Sequence, residues 1–489
     1  MISGGPLWLE SFRMDPLDIS ASEFRRLASD VVELAASWIS GQDSRAIFPA
    51  TSGAECERLF STELPLRGMG AAALTALRDV MEHSRAQNGR FYGYVQGPGE
   101  PVAALGDLLA SVVNQNMTAW RSSPAGVTIE RTVVRWLTEA VGCGGFFGTL
   151  TGGGSAANLM GLTMAREAKT PANERGLRGA PPGVIYASEE VHMAVPKAVA
   201  MIGIGRENLR TVRCDGSYRM IPSELEAAMR RDKADGIVPI AVVASGGTVN
   251  TGAIDPLTEI AEIAHAHGAW MHIDGAYGAL AAIAAPGKFR GMEQADSLSL
   301  DPHKWMYQPL DCGCLLYRDL EMARRTFKHT GDYAKQLSTD PVEGFAFFEE
   351  SIELSRRFRA LKLWLSWRYH GLEAFREAVA KDLRQAQRLA AALKASPELE
   401  LCNEVGLSAV CFRHLMKDDA SRTDDERNRF NMAVLKRVIA RGRVYLSNAM
   451  LQGKFCLRAC IVNHLTKDSD VDAVVPEVLA AAKDVAGNS

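Results

Sequence analysis

Apolar residues at Phe24, Leu27, Val31, Val32, Leu34, Ala35, Trp38 and Ile39 recur at helical spacing within the stretch from Asp15 to about Phe60. They predict an amphipathic helix of about six turns whose apolar stripe needs a partner surface. A loop follows at Ile47, Phe48, Pro49 and Ala50, and residues 68–84 return to helical period. From about Phe146 to Arg318 the pattern changes. Short apolar runs at 146–150, 184–187, 209–212, 238–244, 269–273, 297–300 and 313–317 alternate with helical stretches at 155–167, 196–202, 222–233 and 256–267. Such alternation implies a mostly parallel sheet covered on both faces, with ligands gathering at the carboxyl ends of the strands. After a loop-like region at 331–350, helices over 359–368 and 372–395 lead into a terminal α+β portion.

Composition narrows the partners. The 489 residues are 47% hydrophobic and 23% charged, as in ordinary folded proteins. A formal net charge of −3 gives no basic footprint for nucleic acid and no polybasic patch for a membrane surface. No apolar run approaches the roughly 20 residues of a membrane span, and the first residues lack a basic region, with Glu10 and Asp15 soon after, so no secretory leader is expected. Nine scattered cysteines predict free thiols in a reducing cytoplasm, and Cys312 with Cys314 or Cys456 with Cys460 lack the companion pairs of a zinc site, so no metal is expected. The expected partners are a small molecule and a second copy of the chain.

Three segments carry candidate chemistry. In Ser297-Leu-Ser-Leu-Asp-Pro-His-Lys-Trp305 a lysine directly follows a strand; enclosed there, its amine is a candidate Schiff-base former. In Trp270-Met-His-Ile-Asp-Gly-Ala-Tyr277 a strand ends on Asp274, an acid that needs a cationic or hydrogen-bonded partner such as a pyridinium nitrogen, or else caps a helix. In Thr149-Leu-Thr-Gly-Gly-Gly-Ser-Ala-Ala-Asn158 a glycine-rich turn joins strand to helix, where backbone N–H groups and Ser155 can hold a phosphate. Its spacing fits neither a dinucleotide turn nor a P-loop.

In this order, with Gly247-Thr-Val-Asn-Thr-Gly-Ala-Ile-Asp-Pro256, Ser355-Arg-Arg-Phe-Arg-Ala-Leu-Lys-Leu-Trp364 and Asn88-Gly-Arg-Phe-Tyr-Gly-Tyr94, the segments resemble the group II pyridoxal-phosphate-dependent decarboxylases, the family of aromatic-L-amino-acid decarboxylase. The resemblance implies an α/β protein of pyridoxal-phosphate fold type I, like aspartate aminotransferase. It would comprise an N-terminal helical arm over 1–90, a large cofactor domain over 91–370 and a small α+β domain over 371–489. It further implies that Lys304 holds pyridoxal 5'-phosphate as a Schiff base, that Asp274 pairs with the pyridine nitrogen and that His192 stacks on the ring. Gly154, Ser155, Asp301 and His303 would lie on the phosphate side, and Thr248 and Ala276 along the ring. Interlocking arms would make a homodimer, with Phe91, Tyr92, Tyr94 and Trp120 as walls of an aromatic substrate pocket at the subunit interface.

The resemblance implies decarboxylation of an L-amino acid to an amine. Family decarboxylases carry a loop tyrosine as proton donor about ten residues before the Arg-Arg pair, where this chain has Phe347 and Phe348. Aldehyde-forming members carry phenylalanine there, so oxidative deamination with oxygen is the alternative; Tyr333 is another candidate donor. Gly89 also departs from the family, in which proline is common.

Overall fold

The computed structural model describes residues 17–329, 338–417 and 419–487. The chain divides into two compact units, residues 1–87 and 88–489. In the first, helix Ala21–Gly41 begins where the Ser20 hydroxyl accepts the Glu23 N–H at 3.1 Å, the arrangement of a capped helix start. The expected helix over 68–84 is shorter: residues Gly70–Thr75 form a 3-10 turn and only Ala76–Glu82 is α-helical. Gly70 sits at φ +57°, outside the right-handed helical region, so the helix cannot extend back through it.

The second unit holds two sheets. Strands β1 (Phe147–Thr151), β2 (Gly183–Ser188), β3 (Leu209–Val212), β4 (Val238–Ser245), β5 (Trp270–Asp274), β6 (Ser297–Leu300) and β7 (Gly313–Tyr317) form a seven-stranded sheet in the order β1-β7-β6-β5-β4-β2-β3. Only β7 runs antiparallel to its neighbours. All seven expected strands are present, each within one residue of its predicted limits. Alternate residues feed two separate cores: Val184, Tyr186, Val242 and Ala244 pack on one face, Ile185, Ala187, Ala241 and Val243 on the other. Burial on both faces explains why these strands read as continuous apolar runs.

Helix Arg359–Ala395 runs from the large sheet to the small one and is broken at Gly371, whose φ of 77° and ψ of 156° interrupt the helical path. Strands β8 (Leu399–Leu401), β9 (Ala409–His414), β10 (Ser447–Leu451) and β11 (Lys454–Cys460) then form an antiparallel sheet, β10-β11-β9-β8. Helix Asp424–Arg441 packs on it, opened by a Thr423/Glu426 capping box and closed by Gly442 in the left-handed conformation. Among the described residues no helix is long and apolar enough to cross a membrane.

Candidate functional site

A cavity of about 270 Å³ opens at the carboxyl ends of β4, β5 and β6, where the turn after β1 meets them. The turn is tight for a steric reason. Gly153 adopts φ +132°, and a Cβ on Gly154 would lie 2.6 Å from the Ala276 Cβ and 3.0 Å from Asp301 Oδ2. Helix Gly154–Lys169 starts at this turn, so its unpaired N–H groups and Ser155 form one end of the cavity.

Asp274 closes β5 and is 9% exposed. Its Oδ1 accepts hydrogen bonds from the Ala276 N–H and the Ser299 hydroxyl, both at 3.2 Å. After β6, Asp301 precedes the four-residue helix Pro302–Trp305, which carries Lys304. Lys304 Nζ lies 2.8 Å from Asp301 Oδ2, and the other oxygen, Asp301 Oδ1, is buried without a hydrogen-bond partner among the described residues. His303 Nδ1–H donates to the Cys312 carbonyl at 2.7 Å, which leaves Nε2 as the acceptor of the neutral ring. His192 has the other tautomer: its Nδ1 accepts from the Ala194 N–H at 3.2 Å. Burial lowers the pKa of both imidazoles, favouring their neutral forms. Thr248 is buried, its hydroxyl 2.8 Å from that of Thr251.

Gly154, Ser155, His192, Thr248, Asp274, Ala276, Asp301, His303 and Lys304 therefore all line one cavity. The other candidates do not. Phe91 is buried and stacked on Tyr445 with centroids 5.0 Å apart, and Tyr92 lies in the core of the small sheet. Neither presents a wall to a substrate in this cavity. Tyr94 is 50% exposed and Trp120 partly exposed, both outside the lining. Phe347 is 1% exposed, enclosed by the Arg356 guanidinium 4.3 Å from its centroid and the Phe345 ring edge-on at 4.8 Å. Phe348 is half-buried and also lies off the cavity, and Tyr333 falls outside the described residues. Sequence reasoning passed over Asn158 and Tyr277. Asn158 stands three residues after Ser155 on one helix face, a spacing that could have pointed to it. Tyr277 stacks on Trp305 at 6.1 Å.

The family model of the pyridoxal-dependent decarboxylase conserved domain matches residues 76–415. An aromatic-L-amino-acid decarboxylase of Bacillus atrophaeus is 32% identical over 475 residues, 96% of this chain and 97% of its own. Among solved structures, Oryza sativa TDC with PLP and tryptamine superposes with a TM-score of 0.89 at 25% identity, over 96% of this chain and 99% of that one. Rhodiola rosea 4-hydroxyphenylacetaldehyde synthase gives 0.85 at 25% identity, over 96% and 99%. With its sheet order, its cavity and these matches agreeing, the chain belongs to the group II pyridoxal-dependent decarboxylases of fold type I and is a pyridoxal 5'-phosphate-dependent amino-acid decarboxylase.

Proposed function

We propose that this cavity is the cofactor site and that the protein decarboxylates an aromatic L-amino acid to the corresponding amine, as a cytoplasmic homodimer. The observation that carries the reading is the convergence of nine residues from five separate segments on one cavity, a lysine amine among them. The residues suit the cofactor chemically. Asp301 Oδ1 is buried and unpartnered, the state expected of a group whose partner arrives with a ligand, and Gly154 leaves a cradle that a Cβ would fill. Lys304 would hold the cofactor, Asp274 would keep a proton on its ring nitrogen, and His192 would cover the ring. Gly154, Ser155 and His303 would hold its phosphate, while Thr248 and Ala276 border the ring.

When bound, pyridoxal 5'-phosphate supplies an electron-withdrawing ring that takes up the electron pair of a bond broken at the substrate Cα. The chain sets which bond that is, by orienting the substrate and excluding water. Asp301, 2.8 Å from Lys304 Nζ, is placed to accept and return a proton at that nitrogen. Asp274 is oriented by two hydrogen bonds on one oxygen, leaving the other for the ring nitrogen. A Cβ added by Gly154→Ala would displace Ala276 or Asp301. At about 1–3 kcal/mol for such overpacking, cofactor affinity should fall about tenfold or more, as read by titrating apoprotein while the fold is followed by circular dichroism.

The aromatic preference draws on the Bacillus atrophaeus relative and on the exposed Tyr94 and partly exposed Trp120, whose rings can face a second copy. Dimer formation is supported by helix Pro101–Val113, which exposes Leu105, Leu108, Leu109 and Val112. The buried setting of Phe347 favours the amine over the aldehyde product. Its ring is enclosed by Arg356 and Phe345 within its own subunit and lies off this cavity. We assign the proton returned to Cα to Tyr333. A screen of aromatic amino acids should therefore give amine equimolar with carbon dioxide and no peroxide. Tyr333→Phe should cut amine formation about 10²-fold or more and raise aldehyde and peroxide, while Phe347→Tyr should leave the product unchanged. Stoichiometric peroxide from the unmodified enzyme would replace this reading with the aldehyde one.

A further inference from the structure

Asn158 ends a buried row of hydrogen bonds that crosses two strands and a helix. Trp270 Nε1 lies 2.8 Å from Ser297 Oγ, Ser297 Oγ lies 2.8 Å from His272 Nδ1, and His272 Nε2 lies 2.9 Å from Asn158 Oδ1. Ser297 and His272 are fully buried and Asn158 is 1% exposed. The chemistry of the groups fixes the direction of the row. An indole nitrogen only donates, so Ser297 Oγ accepts from Trp270, and its own buried proton, with no other acceptor among the described residues, is satisfied by donation to His272 Nδ1. The neutral imidazole then carries its proton on Nε2 and donates it to the carbonyl oxygen of Asn158. Burial lowers the His272 pKa to about 4, which keeps the ring in this one-proton state near neutral pH. Asn158 Nδ2 is left without a hydrogen-bond partner among the described residues, on a side chain that lines the cavity.

The packing around the row leaves room for the imidazole. A Cβ on Gly161, three residues along the helix from Asn158, would stand 2.6 Å from His272 Cε1 and Nδ1 and 3.2 Å from Ser297 Oγ. The helix approaches the sheet closely because a glycine faces the imidazole.

We propose that Trp270, Ser297 and His272 are positioning residues that fix the Asn158 carboxamide with its N–H₂ end toward the cavity, where it donates a hydrogen bond to an anionic oxygen of the bound cofactor. The inference rests on the assignment of this cavity to pyridoxal 5'-phosphate. The cofactor offers two oxygens of that chemistry, the ring phenolate and the phosphate.

The test is titration of apoprotein with pyridoxal 5'-phosphate and, separately, with pyridoxal, which lacks the phosphate, following visible absorption and circular dichroism. Asn158→Asp, nearly isosteric, replaces the donor by an acceptor and should weaken the phosphorylated cofactor roughly ten- to a hundredfold, the range for a hydrogen bond to a charged group. An equal loss with pyridoxal together with a shifted absorption maximum identifies the phenolate; a loss confined to the phosphorylated cofactor identifies the phosphate. Ser297→Ala, remote from the cavity, should cause a smaller loss in the same direction that vanishes in the Asn158→Asp background. His272→Gln, which retains an N–H donor, should keep more affinity than His272→Leu. Unchanged affinity of Asn158→Asp for both ligands, or additive losses from Ser297 and Asn158, would overturn the proposal. Lys304→Ala separates the two readings: a band that survives it removes the cavity assignment, whereas its loss beside an unaffected Asn158→Asp refutes the positioning role alone.

Discussion

Lys304→Ala is expected to reduce carbon dioxide release by about 10⁴-fold or more, in line with the removal of a covalent nucleophile elsewhere, and to abolish the visible absorption band of the bound cofactor. Lys304 is the one lysine among the residues lining the cavity, so no neighbouring amine can replace it. Its side chain is 20% exposed and pairs with Asp301 at 2.8 Å. The alanine variant therefore leaves the nearly buried Asp301 without its cation, and Lys304→Arg provides the necessary control. Arginine restores the positive charge beside Asp301 but remains protonated and cannot act as a nucleophile. It should hold the melting temperature near that of the unmodified protein while activity and absorption band stay absent. Turnover within tenfold of the unmodified enzyme in both variants would remove Lys304 from the reaction.

Much of the cofactor domain was legible because its signals are local. A strand buried on both faces must be a continuous apolar run, as Val238–Ser245 is, and a loop that ends such a strand on Asp or Lys carries its chemistry in adjacent residues. Substrate walls are a different problem. Phe91 and Tyr92 read as pocket aromatics, yet Phe91 stacks on Tyr445 and Tyr92 fills the core of the small sheet, contacts some 350 residues away along the chain. Phe347 lies off the cavity for a related reason: its position before the Arg-Arg pair was readable, but its enclosure by Arg356 was not. Helix Pro101–Val113 escaped notice because it is apolar almost all round and lacks a polar face to show the period, although Pro101 marks its first turn. The departure at Gly89 has a local cause. A Cβ there would lie 2.5 Å from Asp470 Oδ2 and 3.0 Å from the Leu465 carbonyl, so this chain admits no larger residue without moving the segment that follows β11.

The largest stability effect is expected at Glu130, in the ion pair with Arg356 beneath the glycine-rich turn. Both side chains are fully buried, with Arg356 Nη2 2.5 Å from Glu130 Oε1. Arg356 also donates to the carbonyls of Met117 at 2.9 Å and Leu150 at 3.0 Å and to the Thr149 hydroxyl at 2.7 Å, while Glu130 accepts the Leu150 N–H at 3.0 Å. The pair thus ties helix Pro124–Ala140 to the end of β1, two residues before Gly152, and to residue 117. Water cannot solvate a guanidinium in this position, so removing its carboxylate strands the charge in a medium of low polarity. Glu130→Ala should lower unfolding stability by about 3–5 kcal/mol, read as a lower urea midpoint. Glu130→Gln should lose less, because its amide oxygen can still accept from Leu150 and Arg356. Because the pair anchors the end of β1 that leads into the glycine-rich turn, both variants should also weaken cofactor binding without shifting the absorption maximum, since neither residue lines the cavity. A Glu130→Ala protein with an unchanged midpoint would mean that Arg356 is adequately paired by its backbone acceptors and Glu353, 3.7 Å away, and that the buried pair contributes little to the fold.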